Sequence, residues 1–336
     1  MKQFSAMVYA RTMEFVRDRG TFFWNLLFPV VLVFGFAFAF SGNATLFKIG
    51  TYGIAPTGSD FTRIEQSQFI PYDAAKAGEE QGKVIDRLRR HELDMVIDYD
   101  AGAYWINEKG RNASLLRRLV HVDPAMASFT ERRVSGDPIR YVDWFVPGVI
   151  GMNMLFSCLS GVGFVIVRYR KNGVLKRLRA TPVSALSFVS AQALSRFLIV
   201  MVTSAFVFLG TNFFLHFMMK GSWLDLLLVM SLGILSMISL GLAFASRFKS
   251  EELAGGIMNL ITMPMLGLSG VFFPLEGAPK WIGLAADALP LTHVTKAARD
   301  IMLEGSSLVA VAPHLLFLLA FSALSLVVAS LLFRWD

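Results

Sequence analysis

The densest run of chemically capable side chains is Arg168–Ser184, RYRKNGVLKRLRATPVS, with six cations (Arg168, Arg170, Lys171, Lys176, Arg177, Arg179) and no acid. Such a set does electrostatic rather than covalent chemistry: it faces water or holds anionic headgroups at a membrane surface. Leu175 and Leu178 stand three apart among the charges, a spacing that predicts a short amphipathic helix lying flat on the bilayer. Gly173 allows a bend before it and Pro182 stops it. The alternative is a plain cytoplasmic loop that has gathered Lys and Arg under the positive-inside rule.

Other chemistry is missing. The chain has no G-x-x-x-x-G-K-[ST] phosphate loop, no H-E-x-x-H and no G-x-S-x-G. The five histidines (His91, His121, His216, His293, His314) are scattered, so no metal site is expected. The single cysteine, Cys158, excludes an intrachain disulfide. The apolar runs carry no paired acids of the kind a proton-coupled pump needs, apart from Glu251-Glu252 at one end. The chain therefore reads as a channel, a passive scaffold, or half of a machine powered from outside.

The elements that position these residues are membrane spans. At 54% hydrophobic, 17% charged and a mean hydropathy of +0.54, the 336 residues are too apolar for a soluble domain, where about 25% charged is usual. The formal charge is +7. Between Lys48 and Asp143 lie 14 Lys/Arg and 15 Asp/Glu, so the positive excess belongs to the apolar part. It reads as topology rather than as nucleic-acid binding. Six charge-free runs are long enough to cross: Gly20–Phe47, Trp144–Val167, Phe197–Met219, Leu226–Ser246, Leu253–Leu275 and Gly305–Phe333. Placing both termini in the cytoplasm puts 13 Lys/Arg on inner flanks against four on short outer loops (Lys220, Lys280, Lys296, Arg299).

The expectation is an α-helical integral membrane protein with six transmembrane helices and a small extracytoplasmic α/β domain between the first and second. An interfacial helix at 1–20 leads into the first span at 21–42, the outer domain takes 43–141, and five spans fill 142–336. A cleaved signal peptide is the alternative at the N-terminus, on the Ala37-Phe38-Ala39 spacing. In the outer domain, Ile49–Ile54, Leu93–Tyr99 and Ala103–Asn107 predict strands, while Gly82–His91 and Leu115–Val120 predict helices. Residues 264–303 are a candidate outer gate or re-entrant hairpin: Pro264 interrupts an apolar run, Ser269-Gly270 follow, and Phe272-Phe273-Pro274 end it. A kinked helix with an interfacial loop is the plainer reading. Asn153, Asn259 and Thr262 are possible pathway residues, though such groups also hold helices together. Gly161, Gly163, Gly255 and Gly256 suggest close packing, and Arg196 is expected to snorkel to the headgroups.

Three stretches resemble the membrane subunits of type-2 ABC exporters (the ABC-2 permease family, also called type V). They are VRDRGTFFWNLLFPVVL, the Arg168–Ser184 loop with its G-[TV]-L-x-R-L-x-x-[ST]-P pattern, and PMLGLSGVFFPLEGAPKWIGLAADALPLTHVTKAARDIMLEG. The resemblance implies a dimer, with a second copy or a paralogue, in a bacterial inner membrane. Two cytoplasmic ATPase subunits would carry the ATP and Mg, and this chain would bind no cofactor and catalyse nothing alone. It also implies that Arg168, Tyr169, Arg170, Lys171, Gly173, Val174, Leu175, Lys176, Arg177, Leu178, Thr181 and Pro182 dock on the ATPase. Arg17, Asp18, Arg19, Glu251 and Glu252 would lie near that interface. Phe272, Phe273 and Pro274 would constrict the outer mouth. Where many members carry acids in the docking segment, this chain has Tyr169, Lys171 and Lys176. The large insertion after the first span fits export of a drug, lipid or ion better than of a polysaccharide, with membrane lipids and a periplasmic adaptor as further partners. An ABC-type scaffold that transmits motion without transport is the alternative.

Overall fold

Two helices follow each other at the N-terminus almost without a break, α1 (Lys2–Arg17) and α2 (Arg19–Ala39). Asp18 sits at the joint, where its carboxylate accepts from the Thr21 amide at 3.1 Å and the Thr21 hydroxyl at 2.6 Å, an N-cap for α2. The computed structural model describes residues 2–39, 47–56, 61, 67–72, 77–110, 112–136, 139–180, 184–246, 248, 250–273 and 279–332. Two units divide it: Met1–Ala37 with Tyr141–Asp336, and Phe38–Arg140.

The second unit is an α/β domain. Its strands β1 (Phe47–Tyr52), β2 (Ser67–Tyr72), β3 (Met95–Asp98), β4 (Ala103–Asn107) and β5 (Thr130–Val134) form one sheet in the order β2-β1-β3-β4-β5. Only the β3–β4 pair is antiparallel. Because strand residues alternate faces, Met95, Ile97, Tyr104 and Ile106 pack with Leu116 and Val120 of helix α4 (Ala113–Val122) on one side. On the other, Val96, Ala103 and Trp105 pack with Val84 and Leu88 of α3 (Ala77–Arg89). The predicted strands and helices are present. The two edge strands were not expected: β2 contains Pro71 and β5 reads TERRV. Proline and charge are what keep an edge from pairing further, so they hide it from an apolar pattern.

The first unit is helical. Helix α5 (Tyr141–Cys158) passes through a π-helical stretch, Leu159–Phe164, into α6 (Val165–Lys171), giving one helix of 31 residues. There follow α7 (Val174–Arg179), α8 (Ala185–Leu215), α9 (Trp223–Ala245), α10 (Glu251–Leu268), α11 (Lys280–Asp287), α12 (Pro290–Arg299), a second π stretch at Asp300–Glu304, and α13 (Leu308–Leu332). Ser184, Ser222 and Ser250 cap α8, α9 and α10 through their hydroxyls. Helix α9 is central, packing on α5, α8, α12 and α13. Gly163 lies so close to it that an added Cβ would meet the Gly241 carbonyl at 3.1 Å. Among the described residues, nothing approaches a Cβ at Gly255 or Gly256.

Among the described residues, five helices are long and apolar enough to cross a membrane: Arg19–Phe38, Tyr141–Lys171, Ser187–Leu215, Trp223–Ala245 and Leu308–Leu332. This is a helical, multi-pass membrane architecture. The fifth expected run, Leu253–Leu275, is represented by α10, whose 18 residues open on two acids and reach about 27 Å at ~1.5 Å per residue. Pro264 does not end α10, contrary to the sequence reading. The helix continues to Leu268, since a membrane helix tolerates one missing amide bond. The break falls at Ser269-Gly270, where Gly270 takes φ +66°.

Candidate functional site: a basic elbow and a hydroxyl-lined hinge

The elbow is the α6–α7 junction. Gly173 adopts φ +67° with no described residue near its missing Cβ, so glycine is required by conformation. Leu175 is fully buried and Leu178 partly so, as their spacing predicts. Arg168, Lys171, Lys176 and Arg177 are exposed, and Val174 lies partly buried at the start of α7. Arg177 stays local, donating to the Asn172 carbonyl at 3.1 Å.

Arg170 departs from the expected display of cations. It is buried, and its guanidinium donates to the carbonyls of Ala245 (2.8 Å), Phe248 (2.6 Å) and Ser246 (3.3 Å). It thus caps the C-terminus of α9, where carbonyls have no helical partners and the dipole favours a cation. Tyr169 is buried too. Its hydroxyl donates to Glu14 (2.6 Å to Oε2), its ring lies under Arg11 at 4.2 Å, and Arg11 also reaches its hydroxyl. Lys171 Nζ stands 3.7 Å from Glu251 Oε2. The elbow is therefore tied to α1, α9 and α10 together.

Of the proposed neighbours, Arg17, Asp18 and Arg19 are exposed, and Asp18 has its carboxyl held below the usual range by the Thr21 hydroxyl and amide. Glu252 is exposed beside Glu251 in the first turn of α10, where acids suit the helix dipole. Thr181 and Pro182 lie outside the described residues, as does Pro274.

The hinge lies at the other end of the long α5–α6 helix. Buried Ser269 accepts from the Thr292 hydroxyl at 3.0 Å, and its carbonyl accepts from the Thr295 hydroxyl at 3.0 Å. Arg299 donates to the carbonyls of Gly270 (2.7 Å) and Trp144 (2.9 Å) and stacks on the Trp144 ring at 3.7 Å. Gly148 allows this approach, because an added Cβ would meet the Val271 carbonyl at 2.7 Å. Phe272 packs in an aromatic group with Phe36, Tyr141 and Phe145, and the Tyr141 hydroxyl donates to its carbonyl at 2.8 Å. Phe273 is 70% exposed.

The pathway candidates are not brought together by any bond. Asn153 is buried with an Nδ2 that has no partner among the described residues, Thr262 bonds back to Met258, and Asn259 is exposed on α10. Sequence reasoning missed the roles of Arg11, Glu14, Thr292, Thr295 and Arg299. The signal for the last was present: Arg299 lies one turn after Thr295 and two after Thr292 on the face of α12 that carries the hydroxyls, and an arginine on that face needs carbonyls to hold it.

Comparison with known proteins gives a consistent picture. A family model described as ABC-2 type transporter matches residues 102–303, well over half of the chain. "ABC transporter G family member 20" of Dictyostelium discoideum is 29% identical over 177 residues, 52% of this chain and 24% of that protein. "Linearmycin resistance permease protein LnrN" of Bacillus subtilis is 27% identical over 180 residues, 52% of this chain and 46% of that one. "Probable multidrug ABC transporter permease YbhS" of Escherichia coli is 20% identical over 350 residues, 94% of this chain and 92% of that protein. The chain thus spans less than half the length of the first two relatives and nearly all of the third.

Proposed function

The chain belongs to the ABC-2 type transporter family, and we propose that it is the membrane-spanning permease of an ATP-driven exporter. It moves an amphipathic, drug-like or lipidic compound outward. The observation that carries this reading is the elbow: Arg168, Lys171, Lys176 and Arg177 exposed on a bent helix pair whose Leu175 is buried and whose Arg170 is bonded to the end of α9. A push on α7 has a rigid route into the bundle, and the exposed cations offer the grip.

The engine in this reading is a pair of separate cytoplasmic ATPase subunits, which hold the ATP and Mg. The elbow faces the cytoplasm with both termini, α10 crosses as the fifth of six spans, and the α/β domain is outside, all in a bacterial inner membrane. A second copy or a paralogue completes the path. Support for a partner in the membrane comes from α10, which leaves Leu253, Leu260 and Met263 more than half exposed in the single chain. Relatives named for linearmycin resistance and multidrug transport support the substrate class.

The test is a reconstituted complex with Lys171, Lys176 and Arg177 changed to Ala. Export should fall at least ten-fold while ATP hydrolysis continues. Unchanged export, with unchanged stimulation of the ATPase, defeats the proposal.

A further inference from the structure

A polar cavity of about 650 Å³ opens between α1, α2, α8 and the π stretch, lined among others by Glu14, Asp18, Trp24, Ser157, Gln192 and Arg196. Its volume is that of a ligand site. Arg196 does not snorkel, contrary to the sequence reading. It is 7% exposed and turned inward, its Nε donating to the Ser157 carbonyl at 2.6 Å and one Nη to the Ser157 hydroxyl at 3.0 Å. The seat is built for it. An added Cβ on Gly161 would lie 1.9 Å from the guanidinium carbon, so only glycine admits the arginine there. The helix around it is π-helical, a form concentrated at functional sites.

Two groups here are left wanting. Arg196 has no carboxylate within 4 Å among the described residues, and its other Nη makes no hydrogen bond there. Glu14 and Asp18 line the same cavity but are taken, the first by Tyr169 and Arg11, the second by Thr21. One helical turn before Arg196, Gln192 is 5% exposed; its Nε2 donates to the Gly161 carbonyl at 2.9 Å, which leaves Oε1 buried and without a donor. Beyond Ser157 the guanidinium has the Phe15 ring at 5.2 Å, and a buried cation without a counter-anion, four residues from a buried acceptor without a donor, is costly unless something completes both. What completes both carries an anion and a hydrogen-bond donor a few atoms apart. From the cavity, Trp24, Phe28 and Val31 run along one exposed side of α2, an apolar track beside the polar pocket.

We propose that this cavity binds one glycerophospholipid, its phosphodiester on Arg196 and a headgroup donor, the ethanolamine ammonium or the glycerol hydroxyl, on Gln192 Oε1. The acyl chains lie along Trp24, Phe28 and Val31. The inner-leaflet position of the site rests on the export reading above; the binding chemistry does not.

The experiment is native mass spectrometry of the full chain in detergent, titrated with phosphatidylethanolamine, phosphatidylglycerol and phosphatidylcholine of equal chain length, with inorganic phosphate and oleate as further arms. The wild type should take one lipid, the first two about ten-fold tighter than phosphatidylcholine, whose quaternary ammonium cannot donate. Arg196→Gln should weaken all three at least ten-fold, and Arg196→Lys less. Gln192→Met should bring the first two down to the phosphatidylcholine value and leave that value unchanged. Equal binding of the three lipids, or insensitivity to both positions, overturns the proposal. Inorganic phosphate binding as tightly as lipid, or oleate matching phosphatidylethanolamine, overturns it as well. If Arg196→Gln fails to fold, Gln192→Met and Arg196→Lys still decide, and no arm depends on an ATPase or on export.

Discussion

At the Lys171 end of the long helix, one arginine is buried on carbonyls while four cations stay on the surface; at the Tyr141 end, arginine and hydroxyls alike turn inward. Both ends face the same difficulty, a helix break whose backbone groups have lost their partners. Arg170 answers it for the end of α9 and Arg299 for the turn after α10, each with a forked guanidinium on two or more carbonyls. The difference lies in what remains outside. The hinge is satisfied within the chain through Ser269, Thr292 and Thr295. The elbow keeps Arg168, Lys171, Lys176 and Arg177 exposed. Structural charge and contact charge can therefore be told apart in one molecule.

The largest expected effect is at the hinge. Arg299→Met strands the Gly270 and Trp144 carbonyls and should cost about 2–6 kcal/mol, seen as a lowered unfolding midpoint in detergent. Arg299→Lys should recover part of it, a point charge replacing a fork. Arg170→Ala should cost less, about 1–3 kcal/mol, because the end of α9 lies nearer the exposed elbow. A loss there equal to that at Arg299 would erase the distinction drawn here. Gly173→Ala forces a side chain into φ +67° and should cost about 1–2 kcal/mol, with Gly173→Asn milder. Lys176→Ala with Arg177→Ala should leave the midpoint within about 0.5 kcal/mol and still abolish coupling.

A water-side reference for these charges is the Tyr104–Glu131–Arg117 group of the sheet domain, with Tyr104 donating to Glu131 at 3.1 Å and Arg117 pairing with it at 2.8 Å. Burial, then the Glu131 charge, pushes the Tyr104 phenol up to about 12. For Glu131, burial pushes the carboxyl up, but bonds from Arg117 and Tyr104 outweigh it and hold it low. Stability from the raised phenol is complete below pH 10 and is lost as pH climbs toward about 12. Stability from the lowered carboxyl is present at neutrality and is lost as pH falls below about 4.5. Hydrogen-exchange protection across β4, corrected for the intrinsic pH dependence of exchange, should stay flat between those limits, and Glu131→Gln should remove the acid limb at a cost of about 1 kcal/mol.

Much of this was legible in the residues. Strands β3 and β4 are apolar on both faces, and the bend at Gly173 and the burial of Leu175 follow from residue type and spacing. The edge strands were not, because Pro71 and the Arg132-Arg133 pair mark an edge by the features that deny a strand. Nor were the inward turns of Arg170 and Arg196. An arginine near the end of an apolar run reads as a snorkelling one until the free carbonyls it meets are known, and a π stretch has no one-dimensional pattern.

The central claim is that a separate ATPase grips the elbow from the cytoplasm. A photo-crosslinking residue placed at Lys176 in intact membranes tests it most directly. The account predicts a crosslink to a cytoplasmic ATPase subunit, together with protection of Lys176→Cys from a membrane-impermeant maleimide added outside. Labelling from outside, or a crosslink yield unchanged when the ATPase is deleted, would contradict it.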